Sequence, residues 1–306
     1  MILNSKNPSP LRYPGGKYKI SKLIGLLIKK LDHECDTYVE PFAGGAGVAL
    51  DLLLNGIVER IVINDSDRAI YSIWRALTES NEAFLDKLTS VPVTIDEWQR
   101  QRQIYFNSKK YSLEYGFAAF FLNRTNHSGI LASGPIGGQE QEDWTLDVRF
   151  NKEDLTNKIK AIGELKKQIK VVGRDVKSFI GNQLKRIGDK AFVYFDPPYY
   201  RKGKVLYKNF FTDRLHRELH NAIINNVTAP WVVSYDDVHE IRTIYAGLPV
   251  KSFSLSYSLA NNGKGREVMF FKSDSLVPTE EEIESLGMHR IFNTDIVSVG
   301  SPVNIG

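Results

Sequence analysis

The amino-acid sequence predicts an α/β fold: a largely parallel sheet whose strands are linked by crossover helices. Two observations carry this expectation. Short apolar runs rich in β-branched and aromatic residues recur along the 306-residue chain, and stretches of helical pattern separate most of them. A third observation makes the sheet mixed. The last two runs are joined directly by Ala260-Asn261-Asn262-Gly263-Lys264-Gly265, whose Asn and Gly residues suit a hairpin turn.

The elements follow in order. A helix over Tyr18–Leu31 is preceded by the loop Arg12-Tyr13-Pro14-Gly15-Gly16-Lys17, which offers an aromatic ring, two flexible glycines and a cation. Strand Tyr38–Pro41 runs into Phe42-Ala43-Gly44-Gly45-Ala46-Gly47 and a helix over Ala46–Asn55. Glycines directly after a first strand let a ligand approach the backbone closely. Strand Arg60–Asn64 ends at Asp65 and leads to a helix over Ala69–Leu77. Between Thr78 and Phe150 the alternation breaks. Two helices, Thr94–Asn107 and Ser112–Asn123, precede the polar stretch TNHSGILASGPIGGQEQEDW, and long irregular segments of this kind are usually functional or disordered. Alternation resumes with helix Asn151–Lys167, strand Ile169–Gly173, helix Val176–Leu184 and strand Ala191–Phe195. Helix Thr212–Asn226 and strands Pro230–Tyr235, Val250–Ser258 and Glu267–Lys272 complete the series. No internal repeat is present. The segment after Ser273 is acidic and weakly patterned, and is expected to be partly mobile.

Composition narrows the function classes. A hydrophobic fraction of 42% can bury a sizeable core. No stretch is long and apolar enough to span a bilayer, and the amino terminus lacks the apolar segment of a secretory signal. Cys35 is the single cysteine, so no intrachain disulfide is possible; a reducing, cytoplasmic setting and a monomeric chain are expected. Glu34 and Asp36 flank Cys35 and should raise its pKa, which makes it a structural thiol rather than a nucleophile. The net charge of +4 conceals an asymmetry: residues 273–306 hold six acids and one base, leaving a net of +9 on the first 272. Basic clusters stand at Lys17, Lys19 and Lys22, at Arg100, Arg102, Lys109 and Lys110, and at Arg201, Lys202, Lys204 and Lys208. Many are solvated helix faces, yet the excess suits a polyanionic partner.

The chemistry concentrates at Asp196-Pro197-Pro198-Tyr199, at the end of the buried run Ala191–Phe195. Open α/β sheets place ligands at that carboxyl edge. The prolines offer no amide donors, so the Pro197 carbonyl can stand beside the Asp196 carboxylate and both can accept hydrogens from an exocyclic amine. Tyr199 can stack on the ring that carries it. The same four residues also suit a plain strand-terminating turn. After the first strand, Glu40 can pair with a cationic ligand group, and Asp65, about 20 residues beyond the glycines, is spaced to hold ribose hydroxyls. A nucleoside with a cationic amino-acid appendage fits these parts, which points to S-adenosylmethionine. Lys17 would meet its carboxylate and Tyr13 its sulfonium. A metal is not expected: His216 and His220 stand four apart but lack a third ligand, and Asn64-Asp65-Ser66-Asp67 lacks the glycine and glutamate of a calcium loop.

In this order, Pro-Gly-Gly-Lys, Glu-Pro-Phe-x-Gly, a strand-end Asp, an insert and Asp-Pro-Pro-Tyr, the chain resembles a DNA adenine methyltransferase of the Dam type (D12 class, alpha group) over about Leu11 to Lys272. The resemblance implies a Rossmann-like methyltransferase with a seven-stranded mixed sheet and an inserted, mostly helical target-recognition domain. Residues 1–77 and 151–272 would form the catalytic domain and 78–150 the insert, with 273–306 as an acidic tail. It implies S-adenosylmethionine contacts from Tyr13, Lys17, Asp65 and Asp196, joined by Glu40, Phe42, Ala43, Gly44 and Gly45, with Asp175 near the cofactor adenine. It further implies methyl transfer to a flipped-out adenine in double-stranded DNA, with Asp196, Pro197, Pro198 and Tyr199 as the catalytic group. Asn123, Arg124, Asn126, His127 and Ser128 are the expected DNA contacts, although each can equally hold its own loop. Two departures stand out. Ala46 occupies the place of the family's second glycine. His127-Ser128-Gly129-Ile130 replaces the usual Tyr-Asn-Gly-Leu and no arginine follows at 131–133, so a GATC target is not carried over. Cytosine in DNA, adenine in RNA and a glutamine amide remain alternative acceptors, and a non-catalytic DNA-binding relative is the alternative of another class.

Overall fold

The structure is a computed structural model that describes residues 7–13, 17–31, 33–108, 110–141, 145–201, 211–255 and 265–292. Pro14, Gly15 and Gly16, the basic residues Lys109, Lys202, Lys204 and Lys208, and most of the hairpin turn expected at Ala260–Gly265 lie outside the described residues.

Seven strands form one sheet: β1 (Thr37–Glu40), β2 (Arg60–Asn64), β3 (Ile169–Val172), β4 (Ala191–Phe195), β5 (Trp231–Asp236), β6 (Val250–Leu255) and β7 (Gly265–Phe271). Their spatial order is β3-β2-β1-β4-β5-β7-β6. The first five run parallel, and β7 lies antiparallel between β5 and β6. The sheet is therefore mixed, as the sequence predicts. Alternation along each strand feeds two cores. In β4, Phe192 and Tyr194 enter one layer, whereas Ala191, Val193 and Phe195 enter the other. Burial on both faces explains why this strand reads as a continuous apolar run.

The first layer holds α1 (Ser21–Lys29, entered through a 3₁₀ turn at Tyr18–Ile20), α2 (Gly47–Leu54), α3 (Arg68–Glu79), α4 (Asn81–Ser90), α5 (Ile95–Asn107), α6 (Leu113–Thr125) and α7 (Lys152–Glu164). The second holds α8 (Val176–Ser178, continued by a π-helical segment Phe179–Leu184 and a turn at Lys185–Ile187), α9 (Asp213–Asn226) and α10 (His239–Ile244). The sheet order reverses between β1 and β4, which opens a crevice at their carboxyl ends.

The helices of residues 78–150 share the first core with the sheet. α6 crosses α3 at Gly116, where an added Cβ would lie 2.6 Å from the Ser72 carbonyl oxygen. Phe84 of α4 packs edge-on against Phe117 and Phe120 of α6, at 5.1 and 5.2 Å between centroids. Thr94 and Ser112 cap α5 and α6 by accepting the amides of Glu97 and Tyr115.

After Ser273, residues 293–306 lie outside the described residues, and residues 274–292 are packed on the core. They form a 3₁₀ turn and two short helices, α11 (Glu280–Ser285) and α12 (His289–Phe292). Leu276, Ile283, Met288 and Phe292 join the first core, and Phe292 stacks on Phe253 of β6 at 5.4 Å. Thr279 and Glu282 make a capping box, and Glu282 and Glu280 pair with Lys30 and Lys251 at 2.9 and 2.7 Å. Part of the acidity thus serves local docking. Ile283→Ala is expected to cost about 2–5 kcal/mol, the range for deleting a buried aliphatic side chain, and truncation after Ser273 more. Denaturant unfolding checks this, and midpoints matching the parent would contradict the docking.

Candidate active site

The crevice is lined by the loop before α1, the ends of β1, β2 and β4, and Phe211 ahead of α9. At its floor stands an ammonium. Lys17 is buried, its Nζ 3.0 Å from Asp196 Oδ1 and 3.2 Å from Glu267 Oε2, and it donates to the Tyr199 hydroxyl at 2.9 Å. The Tyr199 hydroxyl donates in turn to Glu267 Oε1 at 2.9 Å. Burial works against the charge on Lys17, but Asp196 and Glu267 outweigh it and hold its pKa well above the usual lysine value. Burial pushes the Asp196 carboxyl up, opposed by Lys17 and by a hydrogen bond from Ser234.

The two oxygens of Asp196 are treated differently. Oδ1 receives Lys17 and the Ser234 hydroxyl, the latter at 3.1 Å, and Ser234 is itself 2.7 Å from the Tyr194 hydroxyl. Oδ2 has no partner among the described residues, and the side chain is 25% exposed and lines the crevice. Pro198 also lines it, while Pro197 is buried and its carbonyl has no hydrogen-bond partner among the described residues. Tyr199 is 5% exposed and drawn into the cluster by its hydroxyl, so its ring does not line the crevice. Lys17, expected at a ligand carboxylate, is likewise turned to Asp196, Glu267 and Tyr199.

The opposite wall is the glycine loop. Gly44 has φ +45°, and an added Cβ would lie 2.6 Å from the Tyr13 ring, so Tyr13 packs flat against backbone. The Gly44 carbonyl accepts from Trp74 Nε1 at 2.9 Å, and its amide donates to Asp65 Oδ2 at 2.9 Å. Asp65 Oδ1 accepts from the Asp67 amide at 2.8 Å; the cap of α3 is Asp67, not Asp65. Burial pushes the Asp65 carboxyl up to about 7. Ala46 adopts φ 45°, ψ 34°, a left-handed conformation costing a non-glycine residue about 1 kcal/mol, at the position where the sequence departs from the glycine pattern. Glu40 is buried, its Oε1 accepting from the Tyr38 hydroxyl and the Ala49 amide, both at 3.0 Å. Burial pushes its pKa up to about 8 despite these bonds. Phe42, Ala43 and Gly45 line the crevice, with Phe42 edge-on to Phe211 at 5.9 Å. Asp175 does not line it; its exposed side chain caps α8 through the Ser178 amide at 2.9 Å.

The polar residues at the end of α6 divide into two groups. Asn123 is buried and clasps Arg12, accepting its amide at 2.8 Å and donating to its carbonyl at 2.7 Å. Asn126 is buried, accepts from Trp98 Nε1 at 2.6 Å and donates to the carbonyls of Ile130 and Leu131 at 3.0 Å. Arg124 reaches the carbonyls of Pro10 and Arg149. Asn123 and Arg124 tie the insert to the segment that carries Tyr13 and Lys17, whereas the Asn126 side chain joins α5 to the loop after α6 and only its backbone carbonyl reaches that segment, accepting from Arg12 Nη1 at 2.8 Å. His127 is exposed, and Arg124 and Ser128 are half-buried; of the five, His127 and Ser128 are the two whose side chains have no hydrogen-bond partner among the described residues.

Residues 13–258 match the family described as D12 class N6 adenine-specific DNA methyltransferase. The chain belongs to this family. Among curated proteins it is similar to the type II methyltransferase M.MjaIII of Methanocaldococcus jannaschii, 26% identical over 204 residues that span 62% of this chain and 68% of that protein. It is also similar to M.FokI of Planomicrobium okeanokoites, 31% identical over 124 residues, or 40% of this chain and 16% of the relative. Among solved structures, the rRNA methyltransferase aviRa from Streptomyces viridochromogenes aligns over 87% of this chain and 88% of its own, with a TM-score of 0.37 and 11% identity.

This adenine DNA methyltransferase contains residues at the site to which sequence reasoning gave no role there: Ser234, Tyr194 and above all Glu267. Strand parity is the signal that finds the last, since Glu267 shares a face with Met269 and Phe271, both in the first core. The two side chains weighed as decoys have ordinary explanations. His216 is buried with Nδ1 3.1 Å from the Tyr235 hydroxyl, its pKa pushed down to about 4 by burial. The Cys35 thiol is pushed up to about 11, by burial first and by Asp36 second. Among the described residues no group of three His, Cys, Asp or Glu is placed to hold a metal ion, and no helix is long and apolar enough to cross a membrane.

Proposed function

We propose that this enzyme transfers a methyl group from S-adenosylmethionine to the exocyclic amine of an adenine flipped out of double-stranded DNA. The observation that carries the reading is the division of Asp196, with Oδ1 anchored by Lys17 and Ser234 and Oδ2 left without a partner among the described residues. Oδ2 and the Pro197 carbonyl can each accept one hydrogen of the amine. Accepting both favours a pyramidal nitrogen and stabilises the positive charge it gains. No covalent intermediate is needed, in keeping with a Cys35 thiol held protonated. An amine inside the duplex stack is out of reach of a crevice residue, so the nucleotide must leave the stack.

The donor set of the crevice fits S-adenosylmethionine. Asp65 suits ribose hydroxyls, Phe42 and Phe211 offer apolar ring surface, and Glu40 presents a second oxygen with no partner among the described residues. When bound, the group supplies an activated methyl. Duplex DNA as partner is supported by the net charge of +9 outside the last 34 residues, and a place in restriction–modification by the type II relatives. Target choice falls to the insert between 78 and 150, with His127 and Ser128 as polar side chains without partners among the described residues and Asn123, Arg124 and Asn126 as their support.

Asp196→Ala is expected to lower methyl transfer into duplex DNA by about 10²–10³-fold, the loss typical of one transition-state contact, while Lys17 keeps Glu267 and the fold survives. Turnover within threefold of the parent enzyme would sink the assignment. Cofactor binding is expected to be pH-linked. Glu40 keeps its proton up to about pH 8, whereas pairing with an ammonium needs the carboxylate, so binding below that pH releases a proton. Affinity should therefore rise from pH 6 towards 8, by at most about tenfold per unit, and Glu40→Gln should flatten the slope. Calorimetry in buffers of different ionisation enthalpy measures the released proton; zero release at pH 6.5 would remove Glu40 from this role.

A further inference from the structure

A carboxylate at 2% exposure is costly unless it is paired, and Glu267 is paired with groups that also serve the acceptor site. It comes from the start of β7, which runs against its neighbours and so begins at the edge where the parallel strands end. There its Oε2 shares the Lys17 ammonium with Asp196 while its Oε1 fixes the Tyr199 hydroxyl. One cation is thus set against two carboxylates. If Lys17 faced Asp196 alone, the pair would be neutral and Asp196 a weak acceptor. Shared, the ammonium anchors Asp196 but neutralises it only in part, and the cluster keeps a negative charge beside the nitrogen that turns cationic.

We propose that Glu267 is a positioning residue for methyl transfer: by drawing part of the Lys17 charge to itself and holding Tyr199, it keeps Asp196 anchored at Oδ1 and strongly basic at Oδ2. This rests on the reading of Asp196 as the acceptor of the amine hydrogens. The titratable groups that bear on Asp196 are Lys17 at the floor, Tyr38 and Glu40 from β1, Tyr194 and Tyr199 from β4 and its loop, Tyr235 from β5, and Glu267 itself. Among the described residues only Glu267 both repels the Asp196 charge and competes for its counter-ion. Its own carboxyl is pushed up by burial, with Lys17 pulling it down and Asp196 raising it. The plainer role is that of a staple between β7 and the amino-terminal segment.

Glu267→Gln separates the two roles. With the second carboxylate gone, Lys17 falls wholly to Asp196, which should titrate about one pH unit lower. Activity needs ionised Asp196, so the acidic limb of kcat should move to lower pH by the same amount. The plateau kcat should drop about tenfold, because the better-neutralised carboxylate is the weaker acceptor, and KM for S-adenosylmethionine should stay within about twofold. Glu267→Asp keeps the charge but draws it back from Lys17, so it should shift the limb in the same direction by less; it also serves if the glutamine variant does not fold. The Asp196 carboxyl is followed independently by carbon-13 NMR, its resonance identified by loss in Asp196→Asn. A kcat loss with an unmoved acidic limb, or an Asp196 titration unchanged in both variants, would leave Glu267 a staple and overturn the proposal. If the parent enzyme methylates no DNA, the function proposed above fails, whereas the NMR titration still decides whether Glu267 governs Asp196.

Discussion

Everything at the active edge depends on burying one ammonium. Lys17 can sit out of water only if carboxylates reach it, and they come from distant parts of the chain: Asp196 from the end of β4 and Glu267 from the start of β7. This sets conditions on the whole fold. The loop before α1 must lie across the crevice, β4 must be central, and a strand must run backwards so that its first residues share an edge with the last residues of the others. The insertion of antiparallel β7 between β5 and β6 meets that last condition.

Parity does the rest. Tyr38, Tyr194 and Met269 belong to the first core, and Glu40, Asp196 and Glu267 stand two residues from them on the same strands or just beyond their ends. The polar cluster is thus the polar end of the first apolar layer, itself largely buried. The insert packs on that layer, and the Arg12–Asn123 clasp ties it to the segment carrying Tyr13 and Lys17. Under the proposed function, target recognition and the acceptor site would therefore share a short stretch of backbone, and Asn123 has a structural purpose in the clasp itself.

The sheet was legible because its strands are short, apolar on both faces and separated by helical stretches; each of the seven lies where alternation puts it. The glycine loop and Asp65 were legible as residues of one crevice for a similar reason, since spacing after a strand fixes an edge. Residues that choose between two hydrogen-bonding partners were harder. Asn123, Arg124 and Asn126 have the chemistry to read bases, but the same amide and guanidinium groups satisfy backbone carbonyls, and sequence does not say which partner wins. Asp175 is a helix cap for the same reason, and Asp67 rather than its neighbour Asp65 caps α3. The helices at Asn81–Ser90 and His239–Ile244 are short and gain their stability from packing, so pattern alone understates them. The packing of residues 274–292 was hard to see because their charge obscured Leu276, Ile283, Met288 and Phe292, although Thr279-Glu280-Glu281-Glu282 already has the form of a capping box.

The central claim is that the carboxylate and carbonyl of Asp196-Pro197 receive the amine of an adenine. Its most direct test is to incubate the purified chain with methyl-labelled S-adenosylmethionine and unmethylated duplex DNA of mixed sequence, then digest to nucleosides and identify the labelled product by mass spectrometry. The account predicts label in N6-methyldeoxyadenosine. Label in N4-methyldeoxycytidine, or transfer to RNA or protein but not to DNA, would contradict it.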